Sequence, residues 1–312
     1  MEKIKKYVKC GRFTVAITSP EKILFPGTGK TEITKGEFVD YYIRHAAIML
    51  PYLKNRILTM QRFPDGIAAE GFFHKDAPSY FPSFIKRVAV KKQEGGVVNY
   101  VVCNNMATLV YVANTACITF HLFLSKIDTL HIPDQMIFDL DPSHHGAQID
   151  FKGVKKVALL LKEILIKLGL VPFVKTTGSR GLHVVVPLKR EFDFDVVRAC
   201  ARKIAELVLE LHPQLVTLEV RKEKRGTRIF LDTLRNSFTA TAVAPYSVRA
   251  HPHAPVAVPV LWKELEGNVL TSSDMYTIGN VDKRLAAVGD LWKDMAKSAR
   301  SLKKAVKILG IK

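Results

Sequence analysis

Apolar and polar positions alternate along the chain in short strand-like runs and longer helical stretches, and no low-complexity linker or internal repeat interrupts them. A short strand is predicted at residues 12–17. Residues 35–53 read as a helix, with Thr34 as N-cap and Glu37 where a capping box needs an acid. A strand is predicted at 97–102 and a largely apolar helix at 106–125. Residues 135–140 form a short apolar strand running into Asp139-Leu140-Asp141-Pro142. An amphipathic helix at 153–168 ends at Gly169, a residue suited to the position that follows a helix. Strands at 170–176 and 182–188 flank a glycine-rich turn, and a second long helix covers 194–211, stopping near Pro213. Residues 217–220 and 228–232 are predicted to pair as a hairpin across the basic turn 222–226. From about 282 onward the pattern is that of a basic helical tail.

This order of elements predicts an α+β protein, with mixed and antiparallel sheets flanked by helices and acids at strand ends. One catalytic domain is expected over residues 1–280, an N-terminal layer (1–130) on a core (131–280), followed by the tail at 281–312.

Composition adds a partner class. Of 312 residues, 48% are hydrophobic and 24% charged, enough apolar side chains for a proper core. No apolar run is long enough to cross a bilayer, and the charged start lacks a signal segment, so a cytoplasmic protein that meets no membrane is expected. Cys10, Cys103, Cys117 and Cys200 are far apart and form no Cys-x-x-Cys pair, which argues against a zinc ribbon or a disulfide framework. Lys and Arg number 47 against 29 acids, a net charge of +18. Such an excess disfavours an enzyme with no polyanion to meet and favours nucleic acid, whose phosphates reward basic surfaces by releasing counterions.

The candidate chemistry centres on acids. Alternate residues of a strand share a face, so Asp139 and Asp141 converge and would repel without a cation between them. A carboxylate-only site suits magnesium or manganese. Asp232 ends another apolar strand, Ile229-Phe230-Leu231. Three acids at one sheet edge are what two-metal phosphoryl transfer needs. Between the acid motifs, the segment from Thr176 through Thr177, Gly178, Ser179, Arg180, Gly181 and Leu182 to His183 offers backbone amides, hydroxyls, a fixed cation and an imidazole. That set can cradle a triphosphate, although an ordinary hairpin turn uses glycine in the same way. Arg235 and Arg249 can neutralise phosphates, and Phe72-Phe73-His74-Lys75 pairs aromatics that can stack on bases with a basic residue. The helical reading of 106–125 makes His121 a core histidine. His144, His145, His251 and His253 read as loop residues. Gly27-Thr28-Gly29-Lys30-Thr31 is not a P-loop: Leu24 stands where the first glycine belongs, which leaves Lys22, Lys30 and Lys35 as candidate phosphate contacts.

These residues resemble the polymerase domain of bacterial ATP-dependent DNA ligase D, a member of the archaeo-eukaryotic primase superfamily that works in non-homologous end joining. The resemblance runs from Ile17-Thr18-Ser19-Pro20-Glu21-Lys22 to about Trp262. Its most specific pieces are Phe138-Asp139-Leu140-Asp141-Pro142, Thr177-Gly178-Ser179-Arg180-Gly181-Leu182-His183 and Ala244-Pro245-Tyr246-Ser247-Val248-Arg249. It implies a primase-polymerase-like core in which Asp139, Asp141 and Asp232 ligate two Mn2+ or Mg2+ ions. It implies that Thr177, Ser179, Arg180, His183 and Arg249, with His121 and Arg235 nearby, hold the triphosphate. Phe72 and Phe73 would stack on the template, and Lys22 and Lys35 would hold the 5′-phosphate across a gap. Arg180 departs from the lysine the family often has there, and the loop carrying Lys30 looks longer than usual. At 312 residues, no attached ligase or nuclease domain is expected.

The function implied is gap filling and extension of DNA ends, with ribonucleotides preferred, at the nucleoid alongside the Ku end-binding protein and a separate DNA ligase. A primer-independent primase, a non-catalytic end-bridging module and a carboxylate-based nuclease are the alternatives. The acid triad disfavours the bridging module, and the triphosphate turn disfavours the nuclease.

Overall fold

The computed structural model describes residues 4–27, 31–91, 95–142 and 151–311. Lys30, His144 and His145 lie outside them. Contacts divide the chain into two compact units, one of Met1–Phe123, Val243–Val256 and Thr277–Asp282, the other of Leu124–Ala242, Ala257–Tyr276 and Lys283–Lys312.

In the first unit, β1 (Ile4–Cys10) pairs antiparallel with β2 (Phe13–Thr18), and β3 (Ile23–Phe25) with β4 (Ile33–Thr34). Then comes α1 (Lys35–Leu53), which starts as its sequence requires. Thr34 Oγ1 accepts from the Glu37 N–H at 3.3 Å, and Glu37 Oε2 accepts from the Thr34 N–H at 2.8 Å, so two of the unpaired first-turn amides are satisfied. Four strands follow, β5 (Ile57–Arg62), β6 (Phe72–His74), β7 (Lys86–Lys91) and β8 (Val97–Val102), then α2 (Met106–Asn114) and β9 (Cys117–Phe123). They build an antiparallel sheet in the order β9-β5-β8-β7, with β6 on β5.

The predicted helix over 106–125 is therefore half helix and half strand. Ala116, at φ +56°, turns the chain, and β9 pairs with β5 from Leu58↔Leu122 to Gln61↔Thr119. An unbroken apolar run fits a buried strand as well as a buried helix, and pairing with β5 decides between them. Phe38, Tyr41 and Tyr42 of α1 are fully buried. The Tyr41 hydroxyl donates to Tyr246 O at 2.7 Å, and the Tyr42 hydroxyl donates to Ile118 O at 3.1 Å and accepts from the Val248 N–H at 3.1 Å. The returning segment Val243–Val256 is fixed in this way.

The second unit begins with β10 (Gln135–Asp141) and α3 (Phe151–Lys167), then β11 (Phe173–Thr176), β12 (Leu182–Pro187), α4 (Phe194–Leu211), β13 (Val216–Thr217) and β14 (Ile229–Asp232). The chain passes back to the first unit within β15 (Thr241–Val243), returns through β16 (Pro259–Val260) and α5 (Trp262–Glu266), visits the first unit again at Thr277–Asp282, where α6 (Val281–Val288) begins, and ends in the second with α7 (Lys303–Ile308). The sheet order is β13-β14-β10-β12-β11-β16. Every neighbouring pair is antiparallel except β13 and β14, which run parallel. This corrects the expected hairpin. Between these strands Arg225 donates to Glu219 O at 2.9 Å and Val220 O at 2.7 Å and lies 3.7 Å from the Phe230 ring centroid, which folds the basic loop on itself and carries the chain round to the same direction. The tail is helical in pieces: Gly289, at φ +65°, follows α6, a 3-10 turn covers Met295–Ser298, and α7 follows.

The architecture is α+β, as the element order predicted. Among the described residues no helix is long and apolar enough to cross a membrane.

Candidate active site

Four titratable residues stand directly opposite one another on adjacent strands of the second unit: Asp232 on β14, Asp139 on β10, His183 on β12 and Lys175 on β11. Directly opposed residues share a face, and Asp141, two residues past Asp139, joins that face. The register therefore gathers three carboxylates around the middle of the sheet.

Asp139 is the hub. His183 Nε2 lies 3.3 Å from its Oδ1, and Arg235 Nε donates to its Oδ2 at 3.2 Å. Arg235 Nε is also 3.8 Å from Asp232 Oδ2, while Asp232 Oδ1 accepts from the Leu234 N–H at 2.7 Å. Burial opposes the charge of Asp139, yet His183 and Arg235 hold its carboxyl well below the usual range. Burial, then the charge of Asp139, pushes Asp141 up. Asp232 is raised mainly by burial as well. His183, 3% exposed, is pushed down to about 4 by burial and by Lys175. At neutral pH it is an uncharged imidazole whose Nε2–H points at Asp139; its Nδ1 has no hydrogen-bond partner among the described residues.

The turn after β11 is knitted by Thr177. Its Oγ1 accepts from the Ser179 and Gly181 N–H groups, both at 3.3 Å, so these amides point inward. Ser179 and Arg180 stay half-buried at the tip, and Gly178 takes φ +66°. A Cβ on Gly181 would overlap the Leu140 carbonyl oxygen and lie 3.4 Å from Asp141 Oδ1. Only glycine lets the turn sit this close to the acid strand.

Among the described residues no three imidazole, thiol or carboxylate groups already surround one ion position, and Arg235 acts as the counter-ion of Asp139 and Asp232. The donor chemistry nonetheless suits a hard divalent cation. All three acids offer oxygen, and burial and the neighbouring charge of Asp139 push Asp141 and Asp232 up, so a cation on this face would favour their charged forms.

The remaining candidates belong to the first unit. Phe72 and Phe73, 47% and 59% exposed, stand on β6. The Arg62 guanidinium lies 5.6 Å from the Phe72 ring centroid, and His121 meets Phe73 edge-on at 5.5 Å. His121 thus sits half-buried on a strand beside an exposed aromatic, in place of the helical core position expected for it. Lys35 is buried, donates to Thr18 Oγ1 at 3.0 Å and lines a pocket of about 350 Å³ with Thr18, Arg62, Tyr111 and Asn114. Lys22 adjoins it through a 2.7 Å bond from the Lys35 N–H to Lys22 O, and its ammonium pairs with Asp65 at 2.7 Å. Arg249 is half-buried, with its N–H donating to Pro255 O at 2.8 Å.

A family model described as "LigD, primase-polymerase domain" matches residues 34–292. The chain belongs to the LigD primase-polymerase family. Such membership implies a nucleotidyltransferase. The chain is 33% identical over 256 residues to the multifunctional non-homologous end joining protein LigD of Mycolicibacterium smegmatis, covering 80% of this chain and 32% of that protein. To the bifunctional LigD of Bacillus subtilis it is 31% identical over 273 residues, covering 87% of this chain and 42% of that protein. It thus spans less than half the length of these relatives. The solved polymerase domain of Mycobacterium tuberculosis ligase D in complex with DNA superposes with a TM-score of 0.82 at 29% identity, covering 92% of this chain and 99% of that one.

In this LigD-type chain the sequence motifs miss two buried residues beside the acids. Lys175, 1% exposed, is the basic end of the row. Asn236 is fully buried: its Oδ1 accepts from the Ile137 N–H at 2.8 Å, and its Nδ2 donates to Ile137 O at 2.7 Å and Thr233 O at 2.9 Å. Lys175 lies one residue outside the quoted turn motif. For Asn236, 99 positions from Ile137, no local pattern exists to find it.

Proposed function

We propose that this chain fills gaps and extends DNA 3′-ends during end joining, using ribonucleotides in preference to deoxyribonucleotides. The observation that carries the reading is the single face on which Asp139, Asp141, Asp232 and His183 meet, with the Thr177–Gly181 turn against Asp141. The reaction is attack of a primer 3′-oxygen on the α-phosphorus: that P–O bond forms, the bond to the β-phosphate oxygen breaks, and pyrophosphate leaves.

Asp139, Asp141 and Asp232 would hold two Mn2+ or Mg2+ ions, which when bound supply the charge that activates the 3′-hydroxyl and steadies the triphosphate. Arg180 and Ser179, at the tip of the turn, grip phosphate oxygens, and the Thr177 hydroxyl keeps the turn closed. His183 stays neutral beside Asp139, orienting that carboxylate without adding charge to the face. Arg235 holds Asp139 and Asp232 in place when no ion is present. The exposed pair Phe72 and Phe73 gives a stacking platform for template bases. Lys35 and Lys22, with the pocket beside Lys35, suit a 5′-phosphate, and His121 and Arg249 serve the nucleotide. A Ku-type end binder and a ligase activity would complete the repair.

The test is templated addition on a gapped duplex with manganese, with and without a 5′-phosphate on the downstream strand. Addition that the phosphate stimulates and Asp139→Ala abolishes is expected. Addition indifferent to the phosphate would point to a general primase-polymerase, and no addition with tight DNA binding to a bridging module.

A further inference from the structure

One buried hydroxyl outside every sequence motif is bonded to the Thr177–Gly181 turn. Ser273 is 1% exposed and lies 92 to 96 positions from the residues it binds. Its Oγ donates to Gly181 O at 2.6 Å, accepts from the Thr177 N–H at 3.1 Å and stands 3.2 Å from Thr177 Oγ1. The Ser273 proton goes to Gly181 O and its oxygen accepts from the Thr177 amide, so at 1% exposure every contact this hydroxyl makes lies within the turn. Any effect it has must pass through the turn.

The position of Ser273 is itself imposed. Lys155, buried on α3, donates to Gly267 O at 2.8 Å and Leu270 O at 3.1 Å, which anchors the loop just before Ser273. On the other side, Val258 O accepts from the Thr176 N–H at 2.9 Å, and the Val258 N–H donates to Thr176 Oγ1 at 3.0 Å. The turn's two stems are thus held by a segment that returns to the sheet after a long excursion. The Gly181 carbonyl that Ser273 grips belongs to the glycine packed against Leu140 O and Asp141 Oδ1. Fixing that carbonyl fixes both the mouth of the turn and its spacing from the acid strand.

We propose that Ser273 is a positioning residue for nucleoside triphosphate binding: it locks the Thr177–Gly181 turn in the one shape that presents Ser179 and Arg180 to the phosphates beside Asp141. Without it Gly181 O keeps only its bonds from the Thr177 N–H and hydroxyl, both at 3.1 Å, and the tip residues sample other orientations. The inference rests on the proposed role of the turn in phosphate binding.

The experiment compares full-length wild type with Ser273→Ala, Ser273→Thr and Ser273→Cys. It measures affinity for a non-hydrolysable nucleoside triphosphate and for the matching monophosphate, affinity for gapped DNA, KM and kcat for nucleotide addition, and Tm. Ser273→Ala is expected to raise the triphosphate KM by ~10-fold, the order expected for lost hydrogen bonds that position a charged ligand, while kcat, monophosphate affinity and DNA affinity change far less. Ser273→Thr, which keeps the hydroxyl, restores triphosphate affinity. Ser273→Cys keeps the volume with weak hydrogen bonding and falls between, so the ranking stands even if the alanine variant does not fold. Equal losses for tri- and monophosphate, or an unchanged KM, overturn the proposal. Arg180→Ala separates the two levels: if it leaves triphosphate affinity intact, the phosphate role of the turn fails; if it weakens affinity and Ser273→Ala does not, only the role of Ser273 fails.

Discussion

The side-chain amide of Asn236 bonds both backbone groups of Ile137, standing in for a strand residue where β14 has already ended. The backbone register between β10 and β14 covers only Asp139 to Asp141, so Asn236 extends the pairing toward the start of β10 and fixes the loop that carries Arg235. Asn236→Ala leaves the buried Ile137 N–H and C=O without their partner, a cost of ~2–5 kcal/mol for two groups. A clearly lowered Tm is expected, with nucleotide addition falling further than DNA affinity because Asp232 and Arg235 lose alignment. An unchanged Tm in differential scanning calorimetry would contradict it.

Gly181→Ala tests the contact between turn and acid strand. Its Cβ would overlap a backbone oxygen, which cannot rotate aside, so β12 or β10 must shift, at ~1–3 kcal/mol. Nucleotide addition should fall by at least ~100-fold, the scale of loss when reacting groups are displaced by about 1 Å, while far-ultraviolet circular dichroism stays native. Near-normal kcat in this variant would show that the turn and Asp141 move independently.

The buried ion pair of Glu264 and Arg284 sets an acid limit on stability. Arg284 donates from Nη1 to Oε1 at 2.7 Å and from Nη2 to Oε2 at 2.9 Å, and the Leu261 N–H donates to Oε2 at 2.6 Å. Burial alone would raise this carboxyl, but these bonds outweigh it and hold it below its ordinary value. A depressed folded value means stability that is present above the unfolded carboxylate pKa of ~4.3 and lost as pH falls through the folded one. Glu264→Gln should therefore have a lower Tm than wild type at pH 7, with the gap closing as the pH drops below ~4.3. A gap that is the same at pH 7 and pH 3 would rule out this linkage.

Phe72 and Phe73 differ in what supports them, Arg62 for one and His121 for the other. If they stack on template bases, Phe73→Ala should weaken gapped-DNA binding by ~5- to 100-fold, the value of one base stacked on an aromatic. Binding of free nucleotide should not change. Fluorescence anisotropy with labelled gapped duplex gives the answer, and unaltered affinity would make the pair structural.

The parts of this molecule visible in its sequence are those whose physics is local. Thr34 and Glu37 lie three residues apart and announce α1 because a capping box closes within one turn. Asp139 and Asp141 share a face because strands alternate. What stayed hidden depends on distant partners: β9 looks helical until β5 pairs with it, and β14 looks like half of a hairpin until Arg225 folds the loop. Asn236 and Ser273 are unremarkable polar residues in sequence and acquire meaning only from backbone groups more than ninety positions away. Charge and aromatic pairing marked Lys22, Lys35 and Phe73 as candidate phosphate and base contacts, and the resemblance added only the particular partners, a 5′-phosphate across a gap and the template.

The division of the chain has a practical side. The backbone passes between the two units five times, after Phe123, Ala242, Val256, Tyr276 and Asp282. No single cut can free either unit, since Val243–Val256 supplies Ser247, whose hydroxyl accepts from the Phe120 N–H at 2.9 Å, and Val248, which binds Tyr42. A protease nick near Phe123 would give two fragments that co-purify, and separately expressed halves would regain order only on mixing. The protein is a natural candidate for split-fragment reconstitution, and a poor one for dissection by truncation.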